Sequence, residues 1–486
     1  MSDTQVRCRA VTDHPIIIQG GMGVAVSDWR LARAVALEGQ LGVVSGTALD
    51  AVLVRRLQLG DPGGHLRSAL DAFPIPGVVD DILARYFIEG GKAPDDSFKK
   101  SPMGKLEPTR RLQDLLVVAG FAEVWLARQG HDRPIGINFL EKIQAPTLPT
   151  LYGALLAGVG YVLVGAGIPR AIPGILDRLS EGRAAEMRAD VKKATPADDP
   201  FLRFDPVAYG NGVVPPMVRP KFLAIVSSHV LATMLIRKVE SRIDGFVIEG
   251  PTAGGHNAPP RSKDGLTPAG EPIYGVKDAP DLAVFRDLGV PFWMAGSYGR
   301  PEQVKQALAD GAAGVQVGTA FAYCEESGLD PAIKARVLEE SRRERARIFT
   351  DPVASPTGFP FKVVTLTDSL SEEAVYIDRD RICDLGYLRT AYVGDDGAKG
   401  WRCPAEPVDD YVRKGGDLAD TVGRKCLCNA LMSNIGLGQR RKDGSVEPPL
   451  VTSGDDVVDV AAFLPVGAAT YRAADVIARL LEGVPG

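Results

Sequence analysis

The chain has 486 residues, 45% hydrophobic and 24% charged, an ordinary balance for a globular chain in water. Its formal net charge is −5 and no basic stripe runs along any segment, which argues against a nucleic-acid binder. The opening residues, MSDTQVRCRAVTDHP, lack the apolar stretch of a secretory signal, so a cytoplasmic chain with reduced cysteines is expected.

Short apolar runs with β propensity recur at residues 16–19, 41–45, 134–139, 161–165, 222–227, 245–249, 291–295 and 314–318. Amphipathic stretches follow most of them. Residues 27–38, 148–157, 230–239 and 301–310 read as helices, with Pro301 in a first turn where its missing N–H would be unpaired anyway. Strand–helix alternation implies a parallel sheet, and eight units imply an α/β fold of the closed (β/α)8 kind, the TIM barrel. An open doubly wound sheet is the alternative. Residues 151–168, LYGALLAGVGYVLVGAGI, carry no charge, but five glycines and the break at Pro169 fit a buried helix, turn and strand better than a membrane span.

Two insertions interrupt the barrel. One, about residues 50–123 after the second strand, carries DPGG, FPIPG and EGGKAP as loop signals; the other, about 180–220 after the fourth, is charged and proline-rich. Barrel and insertions span residues 1–364, and residues 365–486 form a cysteine-containing C-terminal extension expected to pack on it. The first insertion suits a lid, a dimer arm or both, so a homodimer stays open beside a monomer.

Barrel chemistry sits at the C-terminal ends of the strands. Those ends read Gln19-Gly20-Gly21-Met22-Gly23, Ser45-Gly46-Thr47, Asn138-Phe139, Gly165-Ala166-Gly167, Ser227-Ser228, Glu249 followed by Ala253-Gly254-Gly255-His256, Ala295-Gly296-Ser297 and Gly318-Thr319. Glycine recurs where a large planar cofactor needs close backbone approach. The loops after strands 7 and 8 are the usual phosphate site of this fold, and Gly296, Ser297, Gly318 and Thr319 offer N–H groups and hydroxyls there without a lysine. Plain tight turns are the alternative. His256, one of five histidines, follows two glycines in GFVIEGPTAGGHNAPPR, which puts an acid/base group beside a backbone anion cradle. An ordinary surface turn is the alternative there.

Taken together, IIIQGGMG, LGVVSGTAL, IGINF, AGGH, the AGS of FWMAGS, GVQVGTAF and TGFPFKV resemble the nitronate monooxygenase (2-nitropropane dioxygenase-like) family of FMN-dependent TIM barrels. That framework is shared with flavin-dependent enoyl reductases. The resemblance implies FMN held by Gly21, Met22 and Gly23 along the ring, by Asn138 as a polar contact, and by Gly255, Gly296, Ser297, Gly318 and Thr319 around the phosphate. Gly165, Glu249, Gly254 and Ala295 complete the expected cofactor site. It also implies oxidation of alkyl nitronates by O2 to carbonyl compounds and nitrite. His256 would be the general base, or in protonated form the partner of the nitronate anion. An NAD(P)H-dependent enoyl-thioester reductase, of enoyl-ACP or polyketide type, is the alternative, and a non-catalytic flavin-binding role is a third. Where many members read E-A-G-G-H-x-G, this chain has Thr252-Ala253-Gly254-Gly255-His256-Asn257-Ala258, and its NAPPR is more like the polyketide-type reductases.

Cys383, Cys403, Cys426 and Cys428 follow a C-x19-C-x22-C-x-C spacing. Four thiolates suit zinc or an iron–sulfur cluster, but the C-x2-C pairs common in such sites are missing, and unlinked structural cysteines are the alternative. No other metal site is expected.

Overall fold

The computed structural model describes residues 14–262 and 265–484. Over them the eight expected strands form one parallel sheet: β1 (Ile17–Gln19), β2 (Gly42–Ser45), β3 (Ile135–Leu140), β4 (Tyr161–Gly165), β5 (Lys221–Val226), β6 (Gly245–Glu249), β7 (Phe292–Ala295) and β8 (Gly314–Val317). Each strand neighbours the next in sequence, and β8 pairs with β1. A parallel bridge between Ile18 and Leu41, with the Gln19 N–H donating to the Leu41 carbonyl at 2.9 Å, joins β1 to β2 and closes the ring. The fold is the (β/α)8 barrel.

Alternation along each strand explains why the runs are apolar throughout. Ile18, Val43, Leu163, Leu223, Val247 and Trp293 point inward and fill the barrel. Their neighbours Ile17, Val44, Val162, Phe222, Phe246 and Val315 point outward into the helical layer. The Trp293 indole N–H donates to the Pro15 carbonyl at 2.8 Å, so a large ring plugs the N-terminal end and leaves space only at the other. The uncharged stretch is a helix, Thr147–Leu156, a glycine turn, and β4. No described helix is long and apolar enough to cross a membrane.

The segment after β2 is helical: Leu49–Gln58, His65–Asp71, Val79–Tyr86 and Arg110–Ala127. Its turn signals fall between these helices. The last packs on Thr147–Leu156 so closely that a Cβ on Gly153 would stand 1.9 Å from the Val117 carbonyl oxygen. Residues 180–220 hold an antiparallel hairpin, Ala185–Arg188 with Phe201–Phe204, and a short strand, Val191–Lys192. That strand pairs with Thr390–Val393, itself paired with Lys399–Arg402, so excursion and extension share one small sheet. Ile348–Asp351 and Phe361–Val364 pair antiparallel, and a late helix, Ala473–Leu480, returns to pack on Trp29–Leu37.

Candidate active site

A cavity of about 240 Å³ opens at the C-terminal ends of the barrel strands. Every residue expected from the sequence to serve cofactor or catalysis lines it: Gly21, Met22, Gly23, Asn138, Gly165, Glu249, Gly254, Gly255, His256, Ala295, Gly296, Ser297, Gly318 and Thr319. Six of the eight strand ends deliver these residues to one place because the barrel is closed.

The loop after β1 is held by Ser27, whose hydroxyl donates to the Gly20 carbonyl at 2.7 Å and accepts the Met22 N–H at 2.8 Å. Gln19 steadies Ser27 from below at 2.7 Å. Gly21 lies against Asn138, where a Cβ would stand 2.3 Å from the asparagine Cβ, and the Asn138 amide donates to the Gly21 carbonyl at 3.3 Å. This loop therefore offers its backbone, not side chains, to whatever lies above it.

The turn after β6 is fixed against the strand Phe361–Val364. His256 forms an antiparallel bridge with Phe361, and the Lys362 N–H donates to the Gly255 carbonyl at 3.0 Å. Buried Asn257 donates from Nδ2 to the Ala253 carbonyl at 3.0 Å, which tightens the turn. The His256 ring stacks edge-on against Phe361, centroids 4.9 Å apart, and its Nε2 lies 2.7 Å from Ser355 Oγ. Ser355 is fully buried and in turn shares a 2.8 Å hydrogen bond with Thr357 Oγ1. Burial pushes the imidazole down to about 4, so His256 is neutral at neutral pH. Burial likewise pushes the Glu249 carboxyl up to about 7. Both side chains keep an edge toward the cavity.

The C-terminal extension roofs the cavity with Tyr387, Leu388, Leu427, Cys428, Leu431 and Val451. Its segment at 452–456 threads between the ends of β6, β7 and β8. Thr452 Oγ1 accepts the Gly255 N–H at 2.9 Å, Thr319 Oγ1 accepts the Gly454 N–H at 2.9 Å, and Asp456 accepts the Gly299 N–H at 3.1 Å. Two groups expected to face a phosphate, the Gly255 N–H and the Thr319 hydroxyl oxygen, thus already contact the extension.

The residues fit a flavin. Gln316 Oε1 is buried at the barrel mouth without a hydrogen-bond partner, and Glu249 stands there with burial as the only influence on its carboxyl. A ring edge bearing N–H and C=O groups would meet both. A Cβ on Gly255, at φ +79°, would meet nothing within 4 Å, so space remains beside that turn.

Tyr387 and the 452–456 segment are invisible in the local sequence pattern, because each reaches the site from a stretch that carries no motif of its own, and Ser355 stands two residues before the TGFPFKV motif without being part of it. Cys428 was noticed as a cysteine and not as a wall of this cavity. The four cysteines do converge, around a separate small cavity. His229 opens the helix His229–Lys238 and does not line the active-site cavity.

Comparison with known proteins agrees with the family resemblance. A probable nitronate monooxygenase of Bacillus subtilis (strain 168) is 35% identical over 105 residues, which is 22% of this chain and 28% of that protein. FabK from Thermotoga maritima covers 96% of this chain and 92% of its own at 17% identity, with a TM-score of 0.47. A nitroalkane oxidase from Streptomyces ansochromogenes covers 96% of each chain at 17% identity, with a TM-score of 0.44. The family model described as nitronate monooxygenase matches residues 210–354, the part that contains β5 to β8 and His256. That segment is under a third of the chain.

Proposed function

We propose that this protein is an FMN-dependent oxidoreductase that uses O2 to convert alkyl nitronates to carbonyl compounds and nitrite, with His256 as general base on the parent nitroalkane. One observation carries the reading: a neutral imidazole, held by a buried serine, in the cavity at the mouth of a barrel of this family. A neutral imidazole can accept the acidic α-proton of a nitroalkane. The other role for His256, a cation paired with the nitronate, needs a charge that burial disfavours.

FMN supplies the two-electron acceptor and the reaction with O2 when bound. Gly21, Met22, Gly23 and Asn138 would lie along its ring, with Gly165, Glu249 and Ala295 beneath. Gly254, Gly255, Gly296, Ser297, Gly318 and Thr319 would lie toward its phosphate. The chain's own work is to hold the substrate carbon against His256, receive its proton at the imidazole and keep water out beneath the apolar roof.

A second reading, the NAD(P)H-dependent enoyl-thioester reductase, is favoured by a neighbouring chamber of about 670 Å³. Tyr387 and Leu388 wall both spaces, and Lys142, Arg188, Lys192 and Arg389 line the larger one together with Asp50 and Asp190, the latter paired with Lys142 at 3.1 Å. That chamber has room for a long, anion-bearing substrate tail that a small nitronate would not use.

Anaerobic flavin reduction separates the two. Bleaching by propyl-2-nitronate or 2-nitropropane and not by NAD(P)H, with turnover once air is admitted, is the expected result. Bleaching by NAD(P)H alone would overturn the first reading in favour of the second.

A further inference from the structure

Cys383, Cys403, Cys426 and Cys428 come from three separate stretches of the extension and line one cavity of about 10 Å³. None is in a disulfide. Cys403 and Cys426 form a small buried cluster with Ala405, and Cys428 packs against it. The local core of this region is thus made of thiols where aliphatic side chains would be usual.

The same cavity is lined by Asp384 and Glu406, 6% and 3% exposed. Asp384 Oδ1 and Glu406 Oε1 are both buried with no hydrogen-bond partner. Burying an unpaired carboxylate oxygen is costly, so the cavity is not an ordinary apolar core, and Lys414 meets the other Glu406 oxygen at 2.8 Å.

The surrounding chain is poor in regular structure. Between the helices Glu373–Asp378 and Leu427–Ser433 it has one hairpin, Thr390–Val393 with Lys399–Arg402, and two short helical turns, Val408–Arg413 and Leu418–Thr421. Small loop-rich units of this kind usually need a disulfide or a metal.

We propose that Cys383, Cys403, Cys426 and Cys428 hold an iron–sulfur cluster. Sets of four cysteines are the ligands of such clusters and of structural zinc. Among the described residues no three His, Cys, Asp or Glu side chains are grouped to hold a single metal ion. A cluster carries its own bridging sulfides and therefore spans thiolates set farther apart. Arg389 lines the cavity as well and spends its N–H groups on the Gly104 and Gly386 carbonyls, so its charge is available to a thiolate-ligated centre. Cys428, Leu388 and Leu427 line both this cavity and the one that contains His256, which sets the cluster one layer of side chains from the active site.

The test is iron and acid-labile sulfide analysis of the full chain, purified anaerobically from iron-supplemented cells, with electron paramagnetic resonance after dithionite reduction. Iron and sulfide in equal amounts, more than one of each per chain, with a cluster signal, are expected. Cys403→Ser and Cys426→Ser should lose both, while Cys324→Ala, outside the cavity, should keep both. Zinc without sulfide would overturn the proposal. So would a chain that takes up no iron and sulfide after anaerobic incubation with ferrous iron, sulfide and dithiothreitol. The wild-type content decides the matter even if a variant fails to fold, and it is independent of which substrate reduces the flavin.

Discussion

The link between His256 and Ser355 makes the sharpest test of the proposed chemistry. Ser355 Oγ stands 2.7 Å from His256 Nε2, between two neutral groups, in a place without solvent. A neutral hydrogen bond contributes about 0.5–1.5 kcal/mol net, so Ser355→Ala should slow flavin reduction by 2-nitropropane about two- to twelvefold. Removing the base itself, by His256→Ala, should cost about 10²–10⁴-fold. If the serine acts by orienting the imidazole, the two effects are not additive. In a His256→Ala background the serine substitution should change the rate by less than twofold, because no ring remains to orient. The assay is stopped-flow anaerobic reduction, followed by flavin absorbance, for the wild type, both single variants and the double variant. Thr357→Val serves as a control, since it touches Ser355 and not the ring. An equal fold loss from Ser355→Ala in both backgrounds would refute the orienting role. A loss of less than tenfold for His256→Ala would refute the base itself.

Further outcomes follow from the same geometry. Because burial sets His256 at about 4, below its ordinary 6.5, activity that needs the neutral base should persist above that value and fall as pH drops through about 4; a pH profile of kcat/KM with its acid limb near 6.5 would contradict this. Glu249 has the opposite sign. Its carboxyl, raised from 4.5 to about 7, contributes stability that is present below 4.5 and lost as pH rises through about 7, so denaturation across that window should show Glu249→Gln gaining on the wild type as pH increases. Gly21→Ala places a Cβ 2.3 Å from Asn138 Cβ and should cost about 1–3 kcal/mol in urea unfolding along with retained flavin. Glu447 joins Arg379 at 2.7 Å and Arg441 at 2.5 Å in a buried group, so Glu447→Ala should destabilise by about 3–5 kcal/mol, read from the same unfolding curves.

The sequence carries the barrel almost in full, for a physical reason. A strand buried on both faces must be apolar at every position, and a glycine or polar residue marks where it meets the site. Residues 161–165 and 245–249 were therefore bounded to the residue, and the other six strands to within one or two. The strand-end half of the cavity was legible for the same reason, since closure of the ring puts eight strand ends together. Contacts that close long loops were not. Ser355 lies 99 residues from His256, and Thr452 lies 197 from Gly255, and nothing local to either names its distant partner. The cysteines show the same division. Their number and types were plain, while their convergence depends on the course of an irregular chain that no periodicity encodes.

That irregular chain also sets the chemistry of the barrel it covers. Desolvation is the only cause moving His256 from its ordinary value, and the apolar groups above the cavity that do not come from the barrel itself are Tyr387, Leu388, Leu427, Leu431 and Val451. In a barrel open to water the same histidine would sit near 6.5 and carry partial charge at neutral pH. The extension therefore does more than close a lid. By tying the ends of β6 and β8 to residues 452–454, it adds to the burial that Ser355, Phe359 and Phe361 already give the imidazole, which together keep the ring neutral and able to accept a proton. It brings the cysteine cavity to the other side of Cys428 in the same stroke. Barrel and extension are in this sense one active site, and the segment at residues 210–354 supplies the histidine while residues outside it help decide its protonation state.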